Sequence, residues 1–460
     1  MKHTFILFIL LTISVLSNAQ YRRMGEVDDY VAVDRVPRQA TLLTRDYTYL
    51  PSAHTLRPWC PIPGSQGDYG TCPSWSTAYY ARTICEARNN GWTDKNKITN
   101  EAFSPTFVFA LVKKPSDYNC ADGANTANAL EIISQKGVPK LRDLPYSCLN
   151  SIPMQYYSLA SQYRTERPTS LFDRSVADYN TRIRNVKKAL AEDNPVLISF
   201  KCYDSFQMVS SDVWNGDVSG EPGGHSMCVV SYDDNKYGGA FEVINSWGTD
   251  WANGGYCWIR YNDFCNYTNY AMQMNVRKIQ SNNISRPNSL SGTLRLQLST
   301  GEEMRGTLGA NGVYKISGEY ISGTRYRIYI SNNEPAYVYV IGSDLQNNVS
   351  KVFPPNDRIS PALTYKSNNI AIPDEKWFVQ MDNTVGKDYV CVLYSAQELD
   401  INTIISKIRS GYGSFPEKVS AALSGKIVPA SDVRFSQNSL SFSASTNKTV
   451  VALIAEVVHR

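Results

Sequence analysis

The chain has 460 residues, of which 42% are hydrophobic and 19% are charged, and its formal net charge is +4. This composition is typical of a globular protein and excludes a disordered chain, while the length predicts two or three domains. So small a charge gives no reason to expect nucleic acid or a strongly anionic surface as a partner.

Residues 1–19 have the pattern of a secretory signal peptide. Lys2 and His3 precede an apolar run over residues 5–11, and the small residues Ser17-Asn18-Ala19 stand before the expected cleavage point. This apolar run is too short for a membrane span, and we expect no span elsewhere in the chain. The pattern therefore predicts an exported protein, either periplasmic or secreted.

The chain contains ten cysteines, and export permits some of them to form disulfide bonds. None of them form CxxC pairs, so we expect no zinc site, and we expect neither a metal nor another cofactor. If one cysteine is kept free for chemistry, nine remain, and at least one further thiol must be unpaired. The connectivity does not follow from the sequence.

Residues 20–55 are polar and irregular, and we interpret them as a leader or short pro-segment. Helical patterns are predicted next, over 74–90, 105–112, 125–135 and 186–191, with extended loop over 140–180. Strand patterns follow, over 196–200, 226–232, 240–244, 255–261 and 270–276. A helical half therefore precedes a β half, which predicts an α+β fold class.

Residues 279–292 are rich in Ser, Asn and Pro and are interpreted as a linker. Residues 293–460 are predicted to form a β-rich accessory domain, because their alternating segments are rich in Tyr, Val and Ile. One amphipathic helix is predicted over 401–408, with Asp400 as its N-cap. We expect no nucleophile–base pair in this region, because His459 lies at the chain end and Cys391 lies in a buried strand.

Cys72 follows a Gly-containing turn and precedes a helical pattern, which predicts a thiol at a helix N-terminus. The helix dipole there favours the thiolate, which is the nucleophilic form. His225 stands at the start of a strand, and outside the signal peptide and the chain end His54 is its only rival as a base. Asn245 ends a later strand, where its side chain can accept the imidazole N–H and fix the tautomer. Trp247 follows and can shield that hydrogen bond from water.

The motifs Gln66-Gly67, Gly70-Thr71-Cys72, His225 and Asn245-Ser246-Trp247-Gly248 occur in that order. Together they resemble the papain family of cysteine peptidases over about residues 56–278. The resemblance implies a helical lobe and an antiparallel β lobe with a cleft between them, and polypeptide as the substrate. It implies that Cys72 is the nucleophile, His225 the base, Asn245 its orienting group and Gln66 the side-chain oxyanion donor.

The same resemblance implies three substrate-binding residues. Gly123 matches the glycine that lines the substrate backbone, Trp247 the ring over the His–Asn bond, and Trp251 a wall of the primed side of the cleft. The leading interpretation is an exported endopeptidase that forms a thioester acyl-enzyme. A catalytically inactive binding protein with the papain fold remains an alternative, as does an amidase or transpeptidase that uses the same triad.

The sequence departs from the family pattern at two places in the active-site turn. Pro73 follows Cys72 where the family usually has Trp. Proline lacks a backbone N–H, but in the first turn of a helix that N–H has no intrahelical partner. Trp75 is a candidate to replace the ring of the missing Trp. Tyr69 stands where the family often has a disulfide cysteine. Cys120 resembles that cysteine's usual partner, so it must pair elsewhere or stay free, and Cys148 is the partner we favour.

The C-terminal region resembles a bacterial domain of uncharacterised function that follows various peptidase modules. The resemblance rests on segments 337–341, 352–356 and 372–373 and covers roughly residues 315–410. It implies a β-rich accessory module with no activity of its own. We expect the module to bind a protein or cell-surface partner.

Overall fold

The computed structural model describes residues 22–276, 288–344, 348–365 and 367–460. The expected signal peptide at 1–19 and most of the expected linker at 279–292 lie outside these ranges. Within them, no helix is long and apolar enough to cross a membrane.

The helices fall mainly in the first half of the chain, with two near the C-terminus. They are α1 Tyr30–Arg35, α2 Cys72–Ser74, α3 Thr83–Asn90, α4 Lys95–Asn100, α5 Pro105–Val112, α6 Thr126–Lys136, α7 Gln155–Ser161, α8 Tyr179–Ala191, α9 Asp204–Gln207, α10 Tyr261–Tyr267, α11 Ile401–Ser410 and α12 Phe415–Ala422. A π-helical stretch, Trp75–Arg82, joins α2 to α3 without a break.

Seven strands precede residue 276 and thirteen follow residue 287 in the described chain. The first group is β1 Ala53–Thr55, β2 Thr169–Phe172, β3 Val196–Cys202, β4 Gly223–Asp233, β5 Ala240–Ile244, β6 Tyr256–Arg260 and β7 Thr268–Gln273. The second is β8 Asn288–Leu298, β9 Gly306–Leu308, β10 Val313–Tyr320, β11 Arg325–Asn332, β12 Ala336–Ser343, β13 Val349–Phe353, β14 Ala362–Leu363, β15 Asn368–Ile372, β16 Val379–Gln380, β17 Gly386–Ser395, β18 Arg434–Phe435, β19 Ser441–Thr446 and β20 Val450–His459.

The first group forms one antiparallel sheet in the order β2-β7-β3-β4-β5-β6, with β1 also paired to β4. The helix that runs from residue 72 to 90 packs against this sheet through its small residues. Ala78, Ala81 and Cys85, which share the face predicted from their spacing, have no exposed surface. Gly91 ends the helix in the left-handed conformation at φ 66°, which glycine adopts without a Cβ clash. This helical lobe on an antiparallel sheet confirms the predicted α+β, papain-like fold class.

The second group forms two further sheets. One has the order β13-β12-β17-β20-β10-β9, with β14 on β12, and the other has the order β15-β11-β8-β19-β18, with β16 on β11. Helix α11 lies on the first of these, and its apolar face, formed by Ile401, Ile404, Ile405 and Ile408, is buried as its spacing predicts. The C-terminal region is therefore β-rich, as expected.

The described part of the leader, residues 22–55, contacts both halves of the protein. Arg38 pairs in parallel with Ser170 of the first sheet and with Ile359 of the C-terminal region. Leu43 N–H donates to the carbonyl of Asn369, at 2.8 Å. Residues 37–43 thus run between the papain-like half and the β-rich half.

Several elements differ from the sequence prediction. Residues 140–180 were expected as loop, yet they contain α7 and the strand Thr169–Phe172, all of whose side chains are buried. A strand buried on both faces lacks the alternation that marks a half-exposed strand. Likewise β8 begins at Asn288, four residues before residue 292, the expected end of the linker, because its polar first residues pair through their backbones with β19.

Candidate active site

Cys72 is the first residue of α2 and lies at the bottom of a cleft between the helical lobe and the sheet. Its side chain has no exposed surface. The backbone N–H of Ser226, at the start of β4, donates to the Cys72 sulfur at 3.4 Å. Pro73 occupies the first turn of the helix, where its missing N–H leaves no intrahelical hydrogen bond unmade.

His225 precedes Ser226 on β4, so its imidazole lies beside the same cleft. Its Nε2 is 2.7 Å from Asn245 Oδ1, and that oxygen also accepts the N–H of Ser246 at 2.8 Å. Because an oxygen only accepts, Nε2 must carry the ring proton. Nδ1 is then the unprotonated nitrogen, and it has no hydrogen-bond partner in the described chain. The Trp247 ring stacks on the imidazole, with centroids 4.4 Å apart and planes 20° apart.

Gln66 lies on the loop before Cys72 and is fixed at both ends of its amide. Its Oε1 accepts from Ser246 Oγ at 2.6 Å, which turns Nε2 towards the cleft. Nε2 donates to the carbonyl of Arg23 at 3.1 Å and to that of Tyr69 at 2.7 Å. Trp247 Nε1 donates to the same Arg23 carbonyl at 3.2 Å. The Gln66 side chain, which is the expected oxyanion donor, thus donates a hydrogen bond to a peptide carbonyl of the leader.

The leader continues through the cleft from this point. Gly25 accepts from the N–H of Ala124 at 2.8 Å, and Val27 N–H donates to the carbonyl of Ala124 at 2.9 Å. On the opposite wall, Glu26 N–H donates to the carbonyl of Gly224 at 3.0 Å. The leader therefore lies as an extended strand between the two lobes and covers Cys72.

With the leader in place, the two central groups are both held neutral. Burial raises the pKa of the Cys72 thiol, and the nearby Glu26 raises it further. Burial lowers the pKa of His225 to about 4, against a smaller opposing effect of its hydrogen bond to Asn245. Desolvation disfavours the charged form of each group, so the closed cleft holds a thiol and an imidazole rather than an ion pair.

The structure also places the three expected substrate-binding residues. Gly123 has φ 79° and faces the leader so closely that a Cβ on it would lie 2.3 Å from the carbonyl oxygen of Gly25. Trp247 borders the cleft through its bond to Arg23. Trp251 lies next to Trp247 and is 1% exposed. The two rings pack edge-on with their centroids 5.3 Å apart, and Trp251 Nε1 donates to the carbonyl of Gln207. The role of Trp251 as a wall of the primed side of the cleft stays a prediction.

The turn around Cys72 is braced from behind by aromatic rings and a disulfide. Trp75 packs on Tyr146, with centroids 4.9 Å apart, and the Tyr146 hydroxyl lies 2.6 Å from Thr71 Oγ1. Cys120 is bonded to Cys148, which confirms the favoured pairing. The other eight cysteines of the chain are free and buried.

A second cluster lies in the C-terminal region, where no nucleophile–base pair was expected. Ser322 Oγ is 3.0 Å from His459 Nε2, and His459 Nδ1 is 3.1 Å from Asp388 Oδ2. The prediction missed it because the pairing of β17 and β20 brings together residues far apart in the chain. The backbone N–H groups of Ser322 and Gly323 are already bonded to carbonyls, so neither is free for an oxyanion. The cluster therefore fits a structural hydrogen-bond network.

The leader's contacts are the part of the site that the motifs did not reveal. Arg23 and Gly25 act there through backbone atoms, which leave no mark on residue type. Among the described residues no group of three or more His, Cys, Asp or Glu could hold a metal ion. The cleft thus combines a buried thiol, an oriented imidazole and an amide donor on a peptide carbonyl.

Comparison with known proteins agrees with this geometry. Residues 65–275 match the family model of papain family cysteine proteases, and residues 319–398 match a domain of unknown function (DUF4384). An uncharacterised peptidase C1-like protein of Acanthamoeba polyphaga mimivirus is 25% identical over 204 residues, and a cathepsin B-like protein, CP3, of Giardia intestinalis is 26% identical over 202 residues. Each match covers 42% of this chain and 61% of the relative, so the chain spans about three fifths of the length of these relatives.

Among solved structures, xylellain, a cysteine protease from Xylella fastidiosa, is similar with a TM-score of 0.45 and 19% identity, over 56% of this chain and 96% of that one. On the match to the family model, residues 65–275 form a papain family cysteine protease domain, and residues 319–398 match a domain of unknown function.

Proposed function

We propose that the protein is an exported cysteine endopeptidase that hydrolyses peptide bonds through Cys72, His225 and Asn245. The observation that carries this proposal is the Arg23 carbonyl held 3.1 Å from Gln66 Nε2, in the cleft where Ser226, the residue after His225, donates its N–H to the Cys72 sulfur. A peptide group already occupies the place where a substrate carbonyl would be polarised.

The proposed reaction begins when Nδ1 of His225 takes the proton of the Cys72 thiol. The thiolate attacks the substrate carbonyl carbon, and the oxygen gains a negative charge that Gln66 Nε2 and the backbone N–H of Cys72 stabilise. The imidazolium returns its proton to the leaving amine, the C–N bond breaks, and a thioester remains. Water, deprotonated by the imidazole, then releases the acid. Asn245 and Trp247 keep the ring in its orientation throughout.

The leader is proposed to hold this enzyme in a latent state. Residues 22–27 fill the cleft, hydrogen-bond to both walls and leave Cys72 with no exposed surface. A substrate cannot reach the thiol while they remain. Displacement of the leader, rather than any change at the triad, is then the activating step.

Two alternatives make different predictions. A retired binding protein is less well supported, because the cysteine, histidine, asparagine and glutamine positions are all filled and meet at one cleft. A transpeptidase would use the same thioester, and an added amine acceptor would then appear in the products.

The remaining expectations are also proposals. The papain-like domain is proposed to span 56–278 and the accessory domain 293–460. A signal peptide at 1–19 and a protein or cell-surface partner for the accessory domain stay predictions.

The test is peptide hydrolysis by the full-length chain, its Cys72→Ala variant and, as a matched control, Cys265→Ala, which removes a buried, free thiol on α10. Hydrolysis should disappear only in Cys72→Ala. Intact turnover by Cys72→Ala would refute the proposal.

A further inference from the structure

The side chain of Glu26 enters a pocket beside Cys72 that both lobes build. Asn125 and Thr126 come from the start of α6, while Ser226 and Tyr270 come from β4 and β7. Ser226 also donates its N–H to the Cys72 sulfur. The pocket is thus next to the atom that would attack a substrate, and it already holds a side chain.

One end of the pocket consists of hydrogen-bond donors that converge on a single oxygen. Glu26 Oε1 accepts from Asn125 Nδ2 at 3.2 Å, from the backbone N–H of Thr126 at 3.3 Å and from the Tyr270 hydroxyl. The Asn125 amide cannot turn round, because its Oδ1 accepts the N–H of Ala127 as the N-cap of α6. This end therefore requires an acceptor.

The other end is a chain of hydroxyl groups that leads away from Glu26 Oε2. Thr126 Oγ1 is 2.5 Å from Oε2, and it is 2.7 Å from Ser226 Oγ. Ser226 Oγ is in turn 2.7 Å from Ser76 Oγ, which lies 3.0 Å from the carbonyl of Pro73. If Oε2 donates, each hydroxyl accepts one hydrogen bond and donates the next, and the chain ends on a carbonyl. If Oε2 only accepts, three hydroxyl protons serve four contacts, and one contact has no proton.

The two ends therefore fit a terminal group with one accepting oxygen and one donating atom. A neutral carboxylic acid has this form, and burial among these uncharged partners raises the pKa of Glu26 to about 8. A carboxamide has the same form and the same shape, with its NH₂ in place of the acid O–H. An apolar side chain of equal length would leave the Thr126 N–H and the Tyr270 hydroxyl as buried, unpaired donors, while Asn125 Nδ2 would keep only the carbonyl of Val27.

We propose that this pocket is the specificity subsite of the enzyme and that it selects a Gln side chain, or a Glu side chain as the neutral acid, over apolar side chains of the same length. The inference rests on the proposed peptidase function for its consequence, which is cleavage at a fixed distance from such a residue. The leader then closes the site by placing Glu26 in the subsite that a substrate would use.

The first experiment uses the full-length Gly25→Ala chain, in which the leader should be displaced. It is given two sets of alanine-based peptides, one with a single Gln at successive positions and one with Met there. Mass spectrometry should find cleavage at one fixed distance from Gln, with kcat/KM on the order of a hundredfold above the Met peptide, since Met leaves the donors unpaired. Equal cleavage of Met peptides at every position would overturn the proposal.

Two near-isosteric variants link that selectivity to the pocket. Tyr270→Phe and Thr126→Val each remove one hydroxyl, and each should lower the Gln-to-Met ratio of kcat/KM by roughly tenfold. Tyr267→Phe is the matched control, because Tyr267 lies outside the pocket and packs on Tyr203. A ratio that is unchanged in both pocket variants would contradict the assignment.

A binding measurement separates the pocket from the peptidase function. Synthetic peptides of residues 22–29 with Gln or Met at position 26 are tested for protection of Cys72 against iodoacetamide in the Gly25→Ala chain. The Gln peptide should protect at roughly hundredfold lower concentration. Selective protection without any hydrolysis would refute the peptidase proposal and support the pocket, whereas equal protection by both peptides would refute the pocket.

Discussion

Gly25 is the position at which one added methyl group should open the cleft. A Cβ on Gly25 would lie 2.0 Å from the carbonyl oxygen of Gly70 and 2.3 Å from its carbon, whereas ordinary contact begins at 3.4 Å. Gly70 cannot easily yield, because its N–H is bonded at 2.7 Å to the carbonyl of Cys120, which a disulfide anchors. In Gly25→Ala the leader must therefore move by about 1.4 Å at this point.

A shift of that size removes the backbone hydrogen bonds that hold the leader. Three of them lie within two residues of Gly25: Ala124 N–H to Gly25 at 2.8 Å, Glu26 N–H to Gly224 at 3.0 Å, and Val27 N–H to Ala124 at 2.9 Å. Each contributes a net of about 0.5–1.5 kcal/mol, so their loss weakens docking by about 1.5–4.5 kcal/mol. The ratio of open to closed protein should then rise by roughly 10- to 1000-fold.

The assay is the rate at which iodoacetamide alkylates Cys72 in the full-length protein, since it needs access to the thiol but no turnover. Gly25→Ala should react at least tenfold faster than the unmodified chain, and peptide hydrolysis should rise with it. Val31→Ala is the matched control, because that leader side chain is 70% exposed. An alkylation rate that stays the same in Gly25→Ala would refute the latent state.

Three further results are expected. The docked Glu26 carboxyl has a pKa of about 8, against an ordinary value of 4.5, so its protonation stabilises docking fully below pH 4.5 and this stabilisation is lost as the pH rises to 8. His225, whose pKa is lowered to about 4 in the docked state, has the opposite effect on docking, but only below pH 6.5. Between pH 6.5 and 8 the open fraction should rise about 16-fold through Glu26, and Glu26→Gln should remove that part of the rise in alkylation rate. Gln66→Ala should lower kcat by about 10²–10³-fold, and a kcat within threefold of the unmodified chain would exclude its oxyanion role. Cys148→Ala removes the disulfide bond to Cys120, which spans 28 residues, and should lower the free energy of unfolding by about 3–4 kcal/mol. Denaturant titration measures this change, and a decrease of less than about 1 kcal/mol would contradict the expectation.

The sequence predicted the centre of the site because its residue types are rare and their order is specific. Cys72, His225 and Asn245 carry side-chain chemistry, so their positions in the chain are visible without a structure. The pairing of Cys120 with Cys148 was also within reach, because Tyr69 removed the family's usual partner. The helical and β halves followed from periodicity alone.

The leader's place in the cleft could not be predicted for a physical reason. Several of its bonds to both walls are made by backbone N–H and carbonyl groups, which every residue type supplies equally, and the partners of its Glu26 side chain come from distant parts of the chain. The same holds for β8, whose polar beginning was interpreted as linker, and for the parallel pairing of β10 with β20. The pocket that holds the Glu26 side chain could not be predicted, because Asn125 and Tyr270 lie on different lobes and come into contact only in the folded protein.

The most direct test of the peptidase assignment is site mapping with an epoxide-type thiol-protease inhibitor. Full-length Gly25→Ala is treated with the inhibitor, and its adduct is located by mass spectrometry while peptide hydrolysis is followed in parallel. One adduct is expected, on Cys72, with loss of hydrolysis in proportion to its formation. An adduct on any other cysteine, or hydrolysis that persists when Cys72 is fully modified, would contradict it.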